Sequence, residues 1–330
     1  MKVTCFATLA AALAIPLTSS AAVLFSEDFN VNATANWTVN NQSGAAVNEA
    51  NIFYDYSAIG VPAAPNGTGT TGLKMTANNG VAPNQLFSGI SVSPTGQSFS
   101  GNYKVEFDLW QNYVGPLGPG GNGTTQLSNF GIGTSGTVVV SPSAVTNESV
   151  MFGATLDGGS GVDYRVYSSA ATTGYVNGAS VFAAPYSSPS GTPDNRNELH
   201  PYYTSNFPAG STAPAAQLAL FPSQTGATEA GEISFKWRRV AIEVEDSIAT
   251  WTVDNVLMAT VDLSTVTLGG GNIFFGHSDT NTNASTAANR ALLNVTLIDN
   301  VVVSQVIPEP ATMALVALGC GLAAAARRRV

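Results

Sequence analysis

The chain has 330 residues, of which only 10% are charged, against about 25% in typical soluble domains. Twelve basic and 21 acidic side chains give a net charge of −9. That balance excludes a nucleic-acid binder, because phosphate recognition needs clustered Lys and Arg. The two cysteines, Cys5 and Cys320, lie near the ends. Residues 23–306 therefore hold no disulfide, thiolate nucleophile or cysteine-ligated metal. This stretch of 284 residues is long enough for one large core, and it carries 8 basic and 20 acidic side chains. Its surface must be built of Ser, Thr, Asn and Gly. Such surfaces hydrogen-bond neutral polymers, and they also simply stay soluble.

Residues 1–22 read as a secretory signal peptide. Lys2 is the positive start, Cys5 to Leu17 is the apolar core, and Ser20-Ala21-Ala22 offers small residues for cleavage before Val23. Val23 to Asn30 and Trp37 to Val39 are predicted strands. Residues 41–70 read as loop with brief strands. Leu73 to Thr76, Leu86 to Ile90, Tyr103 to Trp110, Thr137 to Val140, Val150 to Thr155 and Val162 to Tyr167 follow as strands bounded by Gly and Pro. Residues 168–215, with six prolines, are the least regular part, and a loop of that length is functional or mobile. Order returns at Glu232. Ile233 to Trp237 and Arg239 to Glu245 are predicted strands, the second with Val240, Ile242 and Val244 on one face. Asp246-Ser247 and Asp254-Asn255 are predicted turns on either side of Ala249 to Val253. Ile273 to His277 and Ala291 to Val303 close an all-β domain over 23–306. No helical period is visible before the tail.

The tail, residues 307–330, has three parts. Pro308-Glu309-Pro310 blocks regular structure and leaves the backbone extended and accessible. Ala311 to Ala326 is uncharged, 16 residues that would make roughly 24 Å of helix, short of the ~30 Å bilayer core. Arg327, Arg328 and Arg329 form a stop-transfer cluster that stays on the cytoplasmic side. This order resembles the PEP-CTERM sorting signal of Gram-negative bacteria. The resemblance implies a C-terminal transmembrane helix, with the exterior domain first held in the periplasm. It further implies recognition by an exosortase, a membrane-embedded processing enzyme, in a host that makes extracellular polysaccharide or a biofilm matrix. The cell surface or that matrix is then the destination.

The domain itself resembles concanavalin-like, laminin-G-like (LamG) jelly rolls, on Glu27-Asp28-Phe29, Val240 to Glu245, Trp251 to Val261 and Leu297 to Val301. The resemblance implies a β-sandwich with neighbouring first and last strands. It also implies a structural calcium ion between them, for which Asp28 and Asp299 are the hard oxygen donors.

Three further patterns bear on chemistry. Glu106-x-Asp108-x-x-Gln111 resembles the Glu-x-Asp-x-x-Glu strand of jelly-roll β-glucanases. Gln111 replaces the acid/base, and retaining hydrolysis needs two carboxyls ~5–5.5 Å apart, so the expectation is no enzyme. Asp279 to Asn283 opens like an EF-hand loop, but Ala284 and Arg290 replace the Gly and Glu the loop requires. Trp110, Tyr113, Tyr202 and Tyr203 are either a sugar-stacking platform or core filler. His200 and His277 have no nucleophile or metal-ligand pattern around them. The sequence supports a non-enzymatic, exported protein associated with extracellular polysaccharide, able to bind glycan. A polysaccharide hydrolase or lyase on the same scaffold is the alternative.

Overall fold

A computed structural model describes residues 21–43, 47–79, 88–118, 126–142, 149–168, 186–187 (backbone only), 197–280 and 286–306. The chain divides into two units, Val23–Val306 and a second one made of Met1–Ala22 with Ile307–Val330. The predicted signal peptide and C-terminal helix belong to the second unit and lie outside the described residues, apart from 21–22. Among the described residues no helix is long and apolar enough to cross a membrane.

The strands, in chain order, are β1 (Val23–Glu27), β2 (Trp37–Asn41), β3 (Glu49–Asp55), β4 (Thr71–Thr76), β5 (Gly89–Pro94), β6 (Tyr103–Asn112), β7 (Gln126–Thr134), β8 (Val150–Thr155), β9 (Tyr164–Ser168), β10 (Tyr186–Ser187), β11 (Arg238–Glu245), β12 (Ile248–Val253), β13 (Val256–Asp262), β14 (Asn272–Asp279) and β15 (Val295–Gln305). They form two antiparallel sheets. The larger runs β10-β13-β12-β11-β6-β15-β4-β3, with β1 also on β15; the smaller runs β2-β5-β14-β7-β8-β9. The two sheets make an all-β sandwich. The expected pairing of the first and last strands is present, with Glu27 opposite Val301.

Period-two alternation decides which side chains enter the core. On β11, Val240, Ile242 and Val244 are buried, while Arg239 and Glu243 are half-buried. On β12, Trp251 reaches the centre of the sandwich, where Phe152, Phe130 and Tyr164 surround it at ring-centroid distances of 5.3, 5.5 and 6.2 Å. The turns obey local chemistry. Asp246-Ser247 and Asp254-Asn255 all have positive φ, the backbone that two-residue hairpins require and Asn or Asp tolerates.

A smaller core lies on the outer face of the larger sheet. Trp110 and Leu297 meet Tyr56, Ile59, Phe235 and Trp237 there, and Trp237 donates its indole N–H to the Pro62 carbonyl at 2.7 Å.

The structure departs from sequence expectation in three places. Ile233 to Trp237 is not a strand: Phe235 adopts φ 57° and donates its N–H to the Gln111 carbonyl. Thr137 to Val140 is a bend rather than a strand. Three short helices also appear, α1 (Pro201–Asn206), α2 (Ala215–Leu220) and α3 (Arg290–Leu293). At four to six residues none is long enough to show a 3.6-residue period. Instead α1 is set by its entry, where His200 accepts the Tyr202 N–H and Pro201 fills the first position.

A chain of polar side chains crosses between the sheets. Gln111 donates to the Ser128 hydroxyl (3.0 Å) and the Ala154 carbonyl (2.9 Å). Ser128 and Thr296 hydroxyls meet at 2.6 Å. His277 touches Thr296 through Nδ1 and Gln126 Oε1 through Nε2, both at 2.8 Å. Gln126 Oε1 can only accept, so Nε2 carries the proton and Nδ1 accepts from Thr296. The ring is neutral, and full burial holds its pKa down at about 3. His277 is therefore a core residue and His200 a helix cap.

Candidate functional site

Two acidic centres stand out. The first lies where β15 changes partner. β4 pairs with Thr296, Leu297 and Ile298, and β1 pairs with Val301 to Ser304. Between them β15 bulges, and Asn300 takes φ 49°. Asp108, fully buried on the neighbouring β6, accepts four hydrogen bonds at this break. They come from Asn66 Nδ2 (2.7 Å), the Asn66 backbone N–H (3.3 Å), Asn300 Nδ2 (2.8 Å) and the Arg239 guanidinium (3.2 Å). A Cβ at Gly67 would collide with the Asn300 amide, so that loop position needs glycine.

Asp299 is also buried; its Oδ2 accepts from the Tyr56 hydroxyl (2.9 Å) and its Oδ1 from the Asn300 N–H (2.7 Å). Burial pushes its pKa up to about 7; the charges of Asp108 and Asp28 add to the rise, and those two hydrogen bonds oppose it. Asp28 is exposed and accepts the Asn30 N–H. The expected calcium ligands are thus brought near each other and have the right donor type. They supply only two carboxylates, however, and Asp108 is already neutralised by Arg239. We assign no metal to this pair.

The Glu106-x-Asp108-x-x-Gln111 line does not form a catalytic row. Glu106 and Asp108 share the outer face of β6, but Gln111, three residues on along a regular strand, faces the opposite way into the polar chain between the sheets. Glu106 pairs with Lys104 at 3.2 Å and lies 4.0 Å from Arg239.

The sugar-platform reading is corrected for three of its four aromatics. Trp110 and Tyr113 are 2% exposed and Tyr203 is fully buried. Trp110 and Tyr113 both pack against Phe235, and Tyr203 packs against Tyr164 with ring centroids 4.5 Å apart and the planes tilted by 43°. Tyr202 is partly exposed, and its hydroxyl donates to the Leu257 carbonyl. Asp279, from the EF-hand-like stretch, is buried and accepts from Asn78 Nδ2 at 2.7 Å. Residues 281–285 lie outside the described residues.

The second centre was not anticipated. Five carboxyls gather where the loop joining β8 to β9 meets the turn before α1 and the turn before β11: Asp157, Asp163, Glu198, Glu229 and Glu232. Glu198, Glu229 and Glu232 place carboxylate oxygens within 4.8 Å of one another. Burial, then the charges of Asp163, Glu232, Glu229 and Asp157, push Glu198 up to about 10. Burial raises Glu232 to about 8 against hydrogen bonds from the Glu229 N–H and the Tyr113 hydroxyl. Burial likewise raises Asp163 to about 7 while it accepts from the Glu198 N–H and Thr155. The only sequence trace of this centre is the Glu229-x-x-Glu232 spacing; Glu198 and Asp163 arrive from distant, irregular parts of the chain.

Residues 306–329 match the family model for the PEP-CTERM protein-sorting motif. The chain carries a PEP-CTERM sorting tail. That motif indicates an exported, membrane-anchored protein and marks exosortase substrates. Pro308, Glu309, Pro310 and Arg327 to Arg329 fall within the match, outside the described residues. The PEP-CTERM match is confined to the tail and is silent on the sandwich. No curated protein matches the sequence. Among solved structures, an endo-1,3-β-glucanase from Streptomyces sioyaensis aligns at 12% identity over 90% of this chain and all of its own, with a TM-score of 0.43. A galectin-like protein of unknown function from Bacillus subtilis aligns at 8% identity over 86% of this chain and 96% of its own, with a TM-score of 0.40. The VIP36 exoplasmic/lumenal domain, in a form bound to Ca2+ and Man3GlcNAc, aligns at 9% identity over 87% of this chain and 91% of its own, with a TM-score of 0.36.

Proposed function

We propose that this is a non-catalytic exported protein. Its PEP-CTERM tail delivers it, through an exosortase-type enzyme, to the outer cell envelope, where the sandwich associates with extracellular polysaccharide. The observation that carries this reading is the tail match over 306–329. A weakly charged exterior supports the second half. The outer face of the larger sheet has a shallow depression lined by Lys104, Ala241, Glu243, Thr250, Thr252 and Asn255, in which hydroxyl and amide groups suit a neutral polymer. Two features of β6 support the non-catalytic part: Gln111 stands where the glucanase-like pattern has its acid/base carboxyl, and Glu106 and Asp108 are paired with Lys104 and Arg239.

The test follows both halves. In the native host, the wild-type chain is expected to yield a product ending near Pro310 at the surface or in the medium, read by mass spectrometry of the C-terminus. Replacing Arg327, Arg328 and Arg329 with glutamine, or deleting 307–330, is expected to abolish that product. An unchanged distribution in both variants would remove the sorting reading.

For the exterior domain, retardation of the protein in gels containing the host's polysaccharide is expected, with no release of reducing ends. Sugar release that disappears in Glu106→Gln would replace this reading with a hydrolase.

A further inference from the structure

Like charges in a dry site repel strongly, and a buried carboxylate needs a partner. Glu198, Glu229 and Glu232 have no cationic one: neither Lys nor Arg pairs with any of them among the described residues. Arg165, whose charge reaches Asp157 and Asp163, directs its guanidinium at the Val162 carbonyl and the Ser160 and Tyr167 hydroxyls. Arg238 points its own at Asp254 and at the Ile233 and Glu232 carbonyls. Glu232 is partly satisfied, by the Glu229 N–H on one oxygen (3.1 Å) and the Tyr113 hydroxyl on the other (3.3 Å). Glu198 is not. It is 2% exposed, no hydrogen bond reaches its carboxylate from the described residues, and that carboxylate lies within 4.8 Å of the other two acids. A Cβ at Gly158 would strike this carboxylate, so the loop above it is pared to backbone.

We infer that Glu198, Glu229 and Glu232 bind a hard divalent cation, calcium in the exterior compartment, that clamps the turn before α1 to the turn before β11. Calcium takes six to eight oxygens at about 2.3–2.6 Å. Two ligands on opposite sides of one ion then lie about 4.6–5.2 Å apart, so three oxygens within 4.8 Å of one another can share one calcium. Magnesium keeps several waters and demands a tighter octahedron. Zinc favours His and Cys; the nearest imidazole, His200, already holds the Tyr202 N–H.

The surroundings suit a structural clamp. Asp163 fixes the Glu198 backbone N–H at 3.0 Å and is itself held by Thr155 at 2.8 Å. The Tyr164 hydroxyl donates to the Gly231 carbonyl, and the Ser234 hydroxyl to the Leu156 carbonyl. These bonds tie the segment carrying Glu229 and Glu232 to the β8–β9 loop. Asp163 already holds the turn before α1 to that loop; the ion would add the direct link from Glu198 on that turn to Glu229 and Glu232.

The test uses the full-length chain in detergent, stripped with chelator. Calcium in hundredfold excess over its dissociation constant is expected to raise Tm on the order of 5 °C. Terbium should give luminescence sensitised by Tyr113, whose hydroxyl touches Glu232, and calcium should quench it. Glu198→Gln and Glu232→Gln should each lose the Tm shift and cut the emission at least tenfold. In chelator they should melt no lower than wild type, since one like charge has gone. Asp299→Asn should keep both responses. The inference is overturned by a wild-type chain that shows neither response, by responses that survive in both Glu variants, or by responses lost only in Asp299→Asn. None of these readings depends on where the tail sends the protein.

Discussion

Asp108→Ala is expected to lower stability by about 3–5 kcal/mol, the range for removing one member of a buried charged pair, or a fall in Tm of roughly 10 °C. The reason is what stays behind. Asp108 has no exposed surface, and its two oxygens are where Arg239, Asn66 and Asn300 all donate. Alanine would leave a guanidinium and two amides facing each other with no acceptor between them. The β15 bulge that positions Asn300 would lose its internal brace, and the loop carrying Asn66 would lose its anchor. Glu106→Gln, two residues earlier on the same face, is the control. Its partners Lys104 and Arg239 are roughly a third exposed, and such pairs contribute about 0–1 kcal/mol. Thermal unfolding followed by circular dichroism separates the two variants. Equal, small losses would mean that Asp108 is a passenger rather than the brace of this corner.

Acid sensitivity traceable to His277 is the second large effect. In the unfolded chain the imidazole titrates near 6.5; in the folded protein burial holds it at about 3. The folded state therefore binds fewer protons than the unfolded state between these values. A depressed folded pKa contributes stability that is present above 6.5 and is lost as pH falls toward 3, at about 1.4 kcal/mol per pH unit. The geometry explains why the ring resists charging. Nε2–H already donates to Gln126, and Nδ1 receives the Thr296 proton, which leaves Thr296 oxygen free to accept from Ser128. A second ring proton would reverse that whole line of donors. Other groups also titrate in this range, so the difference between wild type and His277→Gln is the quantity to measure. It should shrink steadily from pH 6 to pH 4 in denaturant unfolding. A difference that stays flat across that range would mean that the ring is already charged, or open to water.

Sequence patterns reached the sandwich because alternation is a local signal. Val240, Ile242 and Val244 declare their face within five residues, and Asp254-Asn255 declares its turn within two. The three short helices were invisible for the opposite reason: at one or two turns each, they are decided by packing and by entry residues such as His200 and Pro201. The aromatics misled because their chemistry serves both a sugar face and a core. Trp110 became core only because Phe235 and Trp237 cover the outer face of β6, and that cover depends on a positive φ at Phe235 that no pattern announces. The acidic centre was least legible. Glu198 lies 31 residues before Glu229 in sequence, and Asp163 approaches from a different sheet. Only the fold brings these carboxyls to one point. The PEP-CTERM tail was fully legible, because its message is read linearly, by order and position.

The position of β15 sets the timetable of biogenesis. It comes last in the chain among the described strands, yet it lies in the interior of the larger sheet, between β6 on one side and β4 and β1 on the other. Until it arrives, three earlier strands lack a neighbour and the Asp108 corner has no Asn300. The larger sheet closes only when residue 305 is in place, immediately ahead of the sorting tail.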